Sequence, residues 1–425
     1  MGFILASMGS AVGLGNVWRF PYITGQYGGA AFILLYIGCA LAVGIPLLLA
    51  EFLIGRKTQR NPVGAFKTLR PRSPWVFTGW LGVISSFVIL SYYAVVGGWV
   101  LHYVYLSLID SFTGKSPEQI TALFVSMNAN PWLQIFWLLM LMLLTVVIVS
   151  RGVSRGIEIG NKIMMPLLFA LLLVLLFYAL QTDGAAAGLE FLLRPQWQEL
   201  GRSAVLEALG QALFSLSLGM GAMITYGSYL SRQTNLVRCA FFVAAGDTLV
   251  AILAGFVVFP LVFSFGLEPS AGPGLIFRTL PIAFAQLPAG YWVALAFFVL
   301  LSFAALTSSL SLLEVACAYF VDEQRWSRTQ ASWTLGIVIF LLGIPSAVGA
   351  EFLGFMDGLA TNYLLPTGAL LIAVFTGWVL MPAERREEFS AGEGSVFRFA
   401  CWSFLIRFIS PVAVILIFLH QLHLF

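Results

Sequence analysis

Long apolar stretches alternate with short polar breaks along the whole chain. A helix that crosses a bilayer needs about 20 mostly apolar residues, and eleven segments reach this length. We therefore predict an all-α polytopic membrane protein with eleven transmembrane helices. The predicted segments, numbered in this order, span residues 3–25, 28–54, 76–107, 132–150, 158–180, 203–230, 236–266, 289–321, 330–348, 353–381 and 397–421.

The basic residues between the segments indicate how the chain is oriented. Lys and Arg are enriched in cytoplasmic loops. All but four of the Lys and Arg residues outside the helix interiors fall on one side, and the largest group follows the second segment. The four on the other side are Lys115, Arg194, Arg202 and Arg278. We expect a cytoplasmic N-terminus and, because the number of helices is odd, a C-terminus outside.

The composition supports a membrane protein and excludes other classes. The 425 residues are 60% hydrophobic and 10% charged, whereas soluble domains carry about 25% charged residues. The net charge of +3 is explained by the loops, so we expect no nucleic-acid partner. The cysteines and histidines form no cluster with metal-ligand spacing. The sequence also has no glycine-rich phosphate-binding loop with a lysine, and no set of acid, base and nucleophile. It therefore indicates neither transport driven by ATP nor an enzyme.

The first and sixth segments share a pair of glycines at mid-membrane. The stretches SAVGLGN at 10–16 and SLSLGMG at 215–221 each contain a Gly-x-Gly. Each glycine weakens a helix by about 1 kcal/mol relative to alanine. One such pair is typical of close helix packing, but two pairs, each opening a block of five helices, favour broken helices in an inverted repeat. We predict a first repeat over 1–181, an inverted second repeat over 203–381 and an extra helix over 397–421.

Broken helices free backbone N–H and C=O groups inside the membrane. The N-terminus of a half-helix suits a carboxylate, and the freed carbonyls suit Na⁺ or an ammonium group. Polar side chains at this depth are costly, so they are candidates for function, although a single Ser or Thr more often bonds to the preceding turn of its helix. The candidates are Asn16, Ser215, Ser217, Asp247, Thr307 and Ser308.

The stretch GSAVGLGNVWRFP at 9–21 closely resembles the signature of the neurotransmitter:sodium symporter family. Further motifs agree with that family in order and spacing, and the match covers essentially the whole chain. They are GGAAF at 28–32, SYY at 91–93, GQALFSLS at 210–217, ITY at 224–226 and LTSS at 306–309. The resemblance is to the bacterial branch that transports hydrophobic amino acids, in which some members have eleven helices where twelve are usual.

The resemblance implies two sodium sites and an amino acid site. The first sodium ion would be bound by the Ala11 carbonyl, Asn16, Ser215, Asp247 and the substrate carboxylate. The second would be bound by the carbonyls of Gly9, Val12 and Ala304 and the hydroxyls of Thr307 and Ser308. The substrate would contact Ala11, Leu14, Gly15, Ile89, Tyr93, Phe214, Ser215, Ser217, Met220, Ser308 and Leu312.

The resemblance also implies an outer gate. Arg19 and Asp357 would form an ion pair above an aromatic lid of Tyr93 and Phe214. Glu207 is a further candidate acid on the external path.

An inner gate is implied in the same way. Tyr229 and Asp322 would lie at this gate, with Glu314 as a candidate acid on the cytoplasmic path. Gly156 and Pro166 match the family's Gly-x9-Pro signature, which resembles a site of unwinding on the inward path. The alternative for the proline is an ordinary helix kink.

Three positions refine the expected substrate. Gly13 stands where amine carriers of the family have an aspartate, so the substrate should bring its own carboxylate. Asp247 stands where chloride-dependent members have an asparagine, so we expect chloride-independent transport. Met220, with Ile89 and Leu312, makes an apolar and adaptable pocket. The hypothesis is sodium-driven import of aliphatic and aromatic hydrophobic L-amino acids.

Two other functions stay open on the sequence. One is an amino acid sensor or a ligand-gated channel, although a sensor does not need two sodium sites. The other is a GABA, glycine or monoamine carrier, which Gly13 and the apolar pocket disfavour. We expect the plasma (inner) membrane of a prokaryote as the location and a monomer or loose homodimer as the assembly. The expected partners are the amino acid, sodium ions and lipid.

Overall fold

The computed structural model describes residues 2–201, 203–266, 274–390 and 396–421. Within these ranges every regular element is helical, and Arg202, counted above as an outer basic residue, lies outside them. The described residues contain nine uninterrupted helices that are long and apolar enough to cross a membrane. They are Ala30–Thr58, Val76–Leu108, Pro131–Ser150, Val153–Ala179, Leu236–Ser264, Gly290–Gln324, Arg328–Val348, Ala350–Val379 and Phe397–His420.

The two predicted segments without an uninterrupted helix are the first and the sixth. The first consists of Gly2–Ala11 and a second half over 15–26. The sixth consists of Ala204–Ser215 and Ala222–Ser228. The all-α class is therefore confirmed, and both expected interruptions are present. The total of eleven membrane crossings and the inverted repeat stay predictions.

The first segment opens at Val12 and Gly13, which lie outside regular helix. The second half begins with a π-turn over Gly15–Arg19. The side chain of Asn16 stabilises this start, because its Oδ1 accepts a hydrogen bond from the N–H of Gly13 at 2.9 Å. A new helix N-terminus therefore lies in the interior of the bundle.

The sixth segment opens in its glycine-rich stretch. Ser217, Gly219 and Gly221 have φ values of 53°, 83° and 77°, a left-handed conformation that glycine adopts without strain. The hydroxyl of Ser217 donates to the carbonyl O of Ser10 at 2.8 Å, which connects the two breaks. A side chain at Gly219 would overlap the carbonyl O of Leu365. The tenth segment therefore packs directly against the opened backbone.

The fifth segment differs from the expectation of an unwound stretch. It begins with a π-turn over Val153–Ile157 that contains Gly156. It then continues as an α-helix over Glu158–Ala179, through Pro166. The proline removes one backbone donor, but the first, seventh and eighth segments pack against this helix and hold it in place. The stretch from Gly156 to Pro166 is therefore helical in this structure.

Short helices in the loops were not predicted, because they are too short to be recognised by apolar length. Two of them carry capping signals. The Asn61 side chain accepts a hydrogen bond from the Gly64 N–H at 3.0 Å, and Ser116 forms a capping box with Gln119. The short helices are Pro62–Leu69, Pro117–Asn128, Ala185–Leu193, Leu275–Gln286 and Pro382–Ser390.

The third and eighth helices share the most extensive interface in the described part of the chain. The eighth helix also packs against the first segment. This arrangement brings Ile89 and Tyr93 of the third helix, and Ser308 and Leu312 of the eighth, next to the two helix breaks.

Candidate substrate and sodium-binding sites

A cavity lies between the two helix breaks. It is lined by residues of the first, third, sixth and eighth segments, and Ser10, Gly13 and Asn16 form part of its wall. Every residue predicted to contact the substrate also lines it. These residues are Ala11, Leu14, Gly15, Ile89, Tyr93, Phe214, Ser215, Ser217, Met220, Ser308 and Leu312. The structure therefore brings the whole predicted set to one place.

Part of the cavity lining is polar, because the backbone of the first break reaches it. The N–H of Leu14 donates to the hydroxyl of Tyr93 at 3.3 Å. The π-turn that follows starts at Gly15, and a helix N-terminus carries a partial positive charge. A carboxylate at this part of the lining would accept hydrogen bonds from the N–H groups of Leu14 and Gly15 and from the hydroxyl of Tyr93.

Another part of the cavity lining is apolar. Ile89, Met220 and Leu312 form it, and all three are buried. The free volume of the cavity is about 30 Å³, which is room for about one water molecule. An amino acid side chain therefore needs the walls to move. Methionine adapts its shape readily, and the partly buried Phe214 lies in the same wall.

The side chains predicted for the first sodium ion form one buried cluster. Asn16 Nδ2 donates to Asp247 Oδ1 at 2.7 Å and to Ser215 Oγ at 3.0 Å. Ser215 Oγ also lies 2.8 Å from Asp247 Oδ2, to which the hydroxyl of Tyr36 donates at 3.2 Å. A buried carboxylate normally requires a cation or several hydrogen bonds. Asn16 and Ser215 also line the cavity, so an ion here would lie at its wall.

The second predicted sodium set lies where the first and eighth segments meet. The hydroxyl of Thr307 lies 3.1 Å from the carbonyl O of Ala304 and 3.4 Å from that of Val12. The same hydroxyl lies 2.9 Å from the carbonyl O of Phe303, which is the common back-bond of a threonine in a helix. The bond to Val12 is the one that joins the two segments.

The remaining residues of the second set flank this threonine. A Cβ at Gly9 would lie 3.4 Å from Cβ of Thr307. Ser308 follows in the eighth helix and lines the cavity. All five predicted ligands therefore lie at one junction.

Among the described residues, Arg19 forms its ion pair with Glu207 and not with Asp357. Arg19 Nη2 lies 3.5 Å from Glu207 Oε2, and the guanidinium lies 5.6 Å from the centre of the Phe214 ring. The predicted ion pair between Arg19 and Asp357 is not formed in this structure, because the sixth segment carries Glu207 toward Arg19, whereas the exposed Asp357 accepts a hydrogen bond from the Thr361 hydroxyl at 3.4 Å. The role of Arg19 and Asp357 at the outer gate stays a prediction.

Two polar clusters lie on the predicted cytoplasmic side. The hydroxyl of Tyr229 donates to the fully buried carboxylate of Glu314, which also pairs with Arg328. Asp322 Oδ2 accepts hydrogen bonds from the backbone N–H and the side-chain amide of Asn61, both at 3.1 Å. The sequence identified the acids but not Arg328 and Asn61 as their partners. A buried acid in an apolar helix, such as Glu314, requires a donor, and this requirement is the sequence signal that could have identified Arg328 as a partner.

Two helix breaks that face a buried cavity within a bundle of apolar helices are the arrangement expected of a membrane transporter. The family model of the sodium:neurotransmitter symporter family matches residues 1–120 and 118–425. The chain belongs to the sodium:neurotransmitter symporter family.

Individual relatives agree with this assignment. The chain is 42% identical over 433 residues to the uncharacterized sodium-dependent transporter YhdH of Bacillus subtilis, covering 99% of this chain and 96% of the relative. An uncharacterized sodium-dependent transporter of Haemophilus influenzae is 34% identical over 442 residues, with coverage of 99% and 96%. The crystal structure of MhsT in complex with L-phenylalanine superposes with a TM-score of 0.91 at 46% identity, covering 98% of this chain and 97% of that one. The protein is thus a sodium-coupled, multi-pass membrane transporter with bacterial relatives.

Proposed function

We propose that this protein imports hydrophobic L-amino acids together with sodium ions by alternating access. The observation that carries the proposal is the cavity, which has backbone N–H groups at Leu14 and Gly15 and the apolar side chains of Ile89, Met220 and Leu312. Once its walls move apart, such a lining suits a molecule that carries both a carboxylate and an apolar side chain. The related MhsT is described in complex with L-phenylalanine, which supports the same substrate class.

Gly13 supports an amino acid rather than an amine as the substrate. A Cβ at this position would lie 2.5 Å from Ser308 Oγ and 3.3 Å from the hydroxyl of Tyr93. An acidic side chain at Gly13 would therefore occupy the place where the substrate carboxylate is expected. With glycine, that negative charge comes from the substrate.

Two sodium ions complete the proposed complex. The first would be held by the Ala11 carbonyl, Asn16, Ser215 and Asp247, and the substrate carboxylate would be its shared ligand. A shared ligand couples the two binding events, because each partner then binds more tightly in the presence of the other. The second would be held by Gly9, Val12, Ala304, Thr307 and Ser308.

Transport is proposed to be independent of chloride. The donors around the first sodium site are directed to Asp247, since the hydroxyl of Tyr36 lies 3.2 Å and that of Ser215 2.8 Å from its carboxylate. The Gln211 amide donates elsewhere, to the carbonyl O of Gly15 at 3.2 Å. A chloride ion at this place would be repelled by Asp247 by several kcal/mol at low dielectric.

Alternating access requires a closure on each side of the cavity. We assign the outer closure to the Arg19–Glu207 pair with Phe214, and the inner closure to the clusters around Tyr229 and Asp322. The loop charges favour a cytoplasmic N-terminus and an outside C-terminus in the inner membrane of a prokaryote. The proposed functional unit is a monomer or a loose homodimer.

Equilibrium binding of labelled leucine to the purified protein tests the proposed sites. We expect saturable binding in sodium chloride, equal binding in sodium gluconate, and no binding in potassium or choline chloride. Unlabelled phenylalanine and methionine should compete, whereas GABA and serotonin should not. Leucine binding that does not depend on sodium would indicate a sensor in which amino acid binding is not coupled to sodium. Full competition by serotonin would indicate an amine carrier.

A further inference from the structure

Asn161 of the fifth segment carries a buried oxygen without a hydrogen-bond donor. Its side chain is fully buried, and its Nδ2 donates to the carbonyl O of Ile157 at 2.9 Å. Among the described residues, no donor reaches Oδ1. If the amide O and N of Asn161 were exchanged, Oδ1 would face the carbonyl O of Ile157, and two acceptors would be in contact. The hydrogen bond to Ile157 therefore fixes the orientation of the amide. A buried acceptor without a partner is destabilising and therefore requires an explanation.

The free oxygen of Asn161 points toward the second sodium set. A side chain at Gly9 would overlap Asn161 Oδ1, and the same point lies 3.4 Å from Cβ of Thr307. Glycine at this position therefore allows the carboxamide to approach the first segment closely. Because Gly9 and Thr307 are both proposed sodium ligands, an unused acceptor oxygen lies beside that site.

Asn161 also lies on the cytoplasmic half of its helix, in the orientation that the loop charges predict. The helix begins at Val153, next to Arg151, with a π-turn that contains Gly156. π-turns are local irregularities that frequently occur at functional positions. Asn161 lies between this turn and Pro166. The helix that carries this polar group beside the second sodium set thus runs from there to the predicted cytoplasmic side.

We propose that Asn161 Oδ1 receives the second sodium ion as the ion leaves toward the cytoplasm. An ion that moves away from Gly9 and Thr307 loses oxygen ligands before bulk water replaces them. A neutral carboxamide oxygen beside both residues supplies a ligand during this step and lowers the barrier to release. Because it carries no full charge, it does not retain the ion. The inference rests on the proposed sodium-coupled function and adds a release step to it.

Two variants and a control test this role. Asn161→Leu removes the oxygen at similar size, and Asn161→Ser returns a hydroxyl oxygen at the same depth. Thr145→Val is the control, because Thr145 is fully buried and its hydroxyl donates to the Leu141 carbonyl O of its own helix at 2.9 Å. The measurements are the maximal rate of sodium-driven leucine uptake into proteoliposomes and the sodium concentration for half-maximal leucine binding at equilibrium.

We expect Asn161→Leu to lower the maximal uptake rate about tenfold, the effect of one lost interaction in the transition state for release. The sodium concentration for half-maximal leucine binding should change less than about twofold. Asn161→Ser should recover part of the rate, and Thr145→Val should resemble the unmodified protein.

A wild-type rate in Asn161→Leu would overturn the inference, and so would a loss of sodium affinity that matches the loss of rate. If Asn161→Leu binds no leucine at all, Asn161→Ser tests the inference instead. The same two quantities are then measured, the maximal uptake rate and the sodium concentration for half-maximal leucine binding. Failure of sodium-driven uptake in the unmodified protein would overturn the proposed function together with this inference. An active wild type with an unaffected Asn161→Leu would overturn this inference alone.

Discussion

Asn16 Nδ2 lies 2.7 Å from Asp247 Oδ1, at the point where the first segment is broken. The hydroxyl of Ser215, at the edge of the other break, lies 2.8 Å from the second oxygen of the same carboxylate. One side chain of the uninterrupted seventh segment thus contacts both broken helices. A sodium ion bound here would be held by the two segments that also line the cavity.

This relationship predicts the effect of removing the charge of Asp247. Uptake by the unmodified protein should be equal in chloride and gluconate. Asp247→Asn should make uptake depend on chloride, with at least about a tenfold loss of rate in gluconate. The reason is that the substitution removes the carboxylate charge beside the first sodium ion, in a site of low dielectric constant. Asp183→Asn is the control, since Asp183 is exposed and has no proposed role. Strong chloride stimulation of the unmodified protein would contradict the assignment of Asp247.

Gly13→Asp should change the substrate class. The new carboxylate would lie near Ser308 Oγ and the Tyr93 hydroxyl, where the leucine carboxylate is expected. Leucine binding should fall by at least about tenfold, because two like charges would compete for the same donors. Isoamylamine, which is leucine without its carboxylate, should bind better than to the unmodified protein. Gly13→Ala separates bulk from charge, and unchanged leucine binding in Gly13→Asp would refute this geometry.

The partner of Arg19 can be identified with a double-mutant cycle. Arg19 and Glu207 are 27% and 40% exposed, so their coupling should be small, about 0.2–1 kcal/mol in leucine binding. The matched cycle of Arg19 with Asp357 should give a coupling near zero, because these residues form no ion pair here. The variants are Arg19→Gln, Glu207→Gln and Asp357→Asn, each singly and in pairs. A larger coupling to Asp357 would restore the sequence-based pairing.

Glu314 should be important for stability. Its buried carboxylate holds Tyr229 and Arg328, and removal of one partner of a buried ion pair costs about 3–5 kcal/mol. Glu314→Gln should therefore lower the thermal unfolding midpoint in detergent by several degrees. Glu387→Gln is the control, because Glu387 is 74% exposed in its pair with Lys57 and such pairs contribute about 0–1 kcal/mol. Equal midpoints for the two variants would show that the Glu314 cluster is not stabilising.

The sequence predicted the fold class, both helix breaks and the residues that meet at the cavity. The reason is that the required chemistry has few solutions. Glycines such as Gly219 and Gly221 are needed where the backbone opens, and polar residues such as Asn16 and Asp247 are rare at this depth unless they serve a function.

Other features depend on how helices tilt and pack, which apolar patterns do not determine. The choice of Glu207 over Asp357 as the partner of Arg19 is set by the path of the sixth segment. The helical conformation through Pro166 is set by its packing neighbours. The approach of Asn161 to Gly9 is visible only when the first and fifth segments are in contact.

The most direct test of coupled import is accumulation of labelled leucine in proteoliposomes under an inward sodium gradient. The proposed function predicts concentrative uptake that stops when an ionophore removes the sodium gradient and that does not occur with an equal potassium or choline gradient. Unlabelled phenylalanine outside should reduce this uptake by competition. Uptake that is the same with potassium, or sodium-dependent binding without accumulation, would contradict sodium-coupled import.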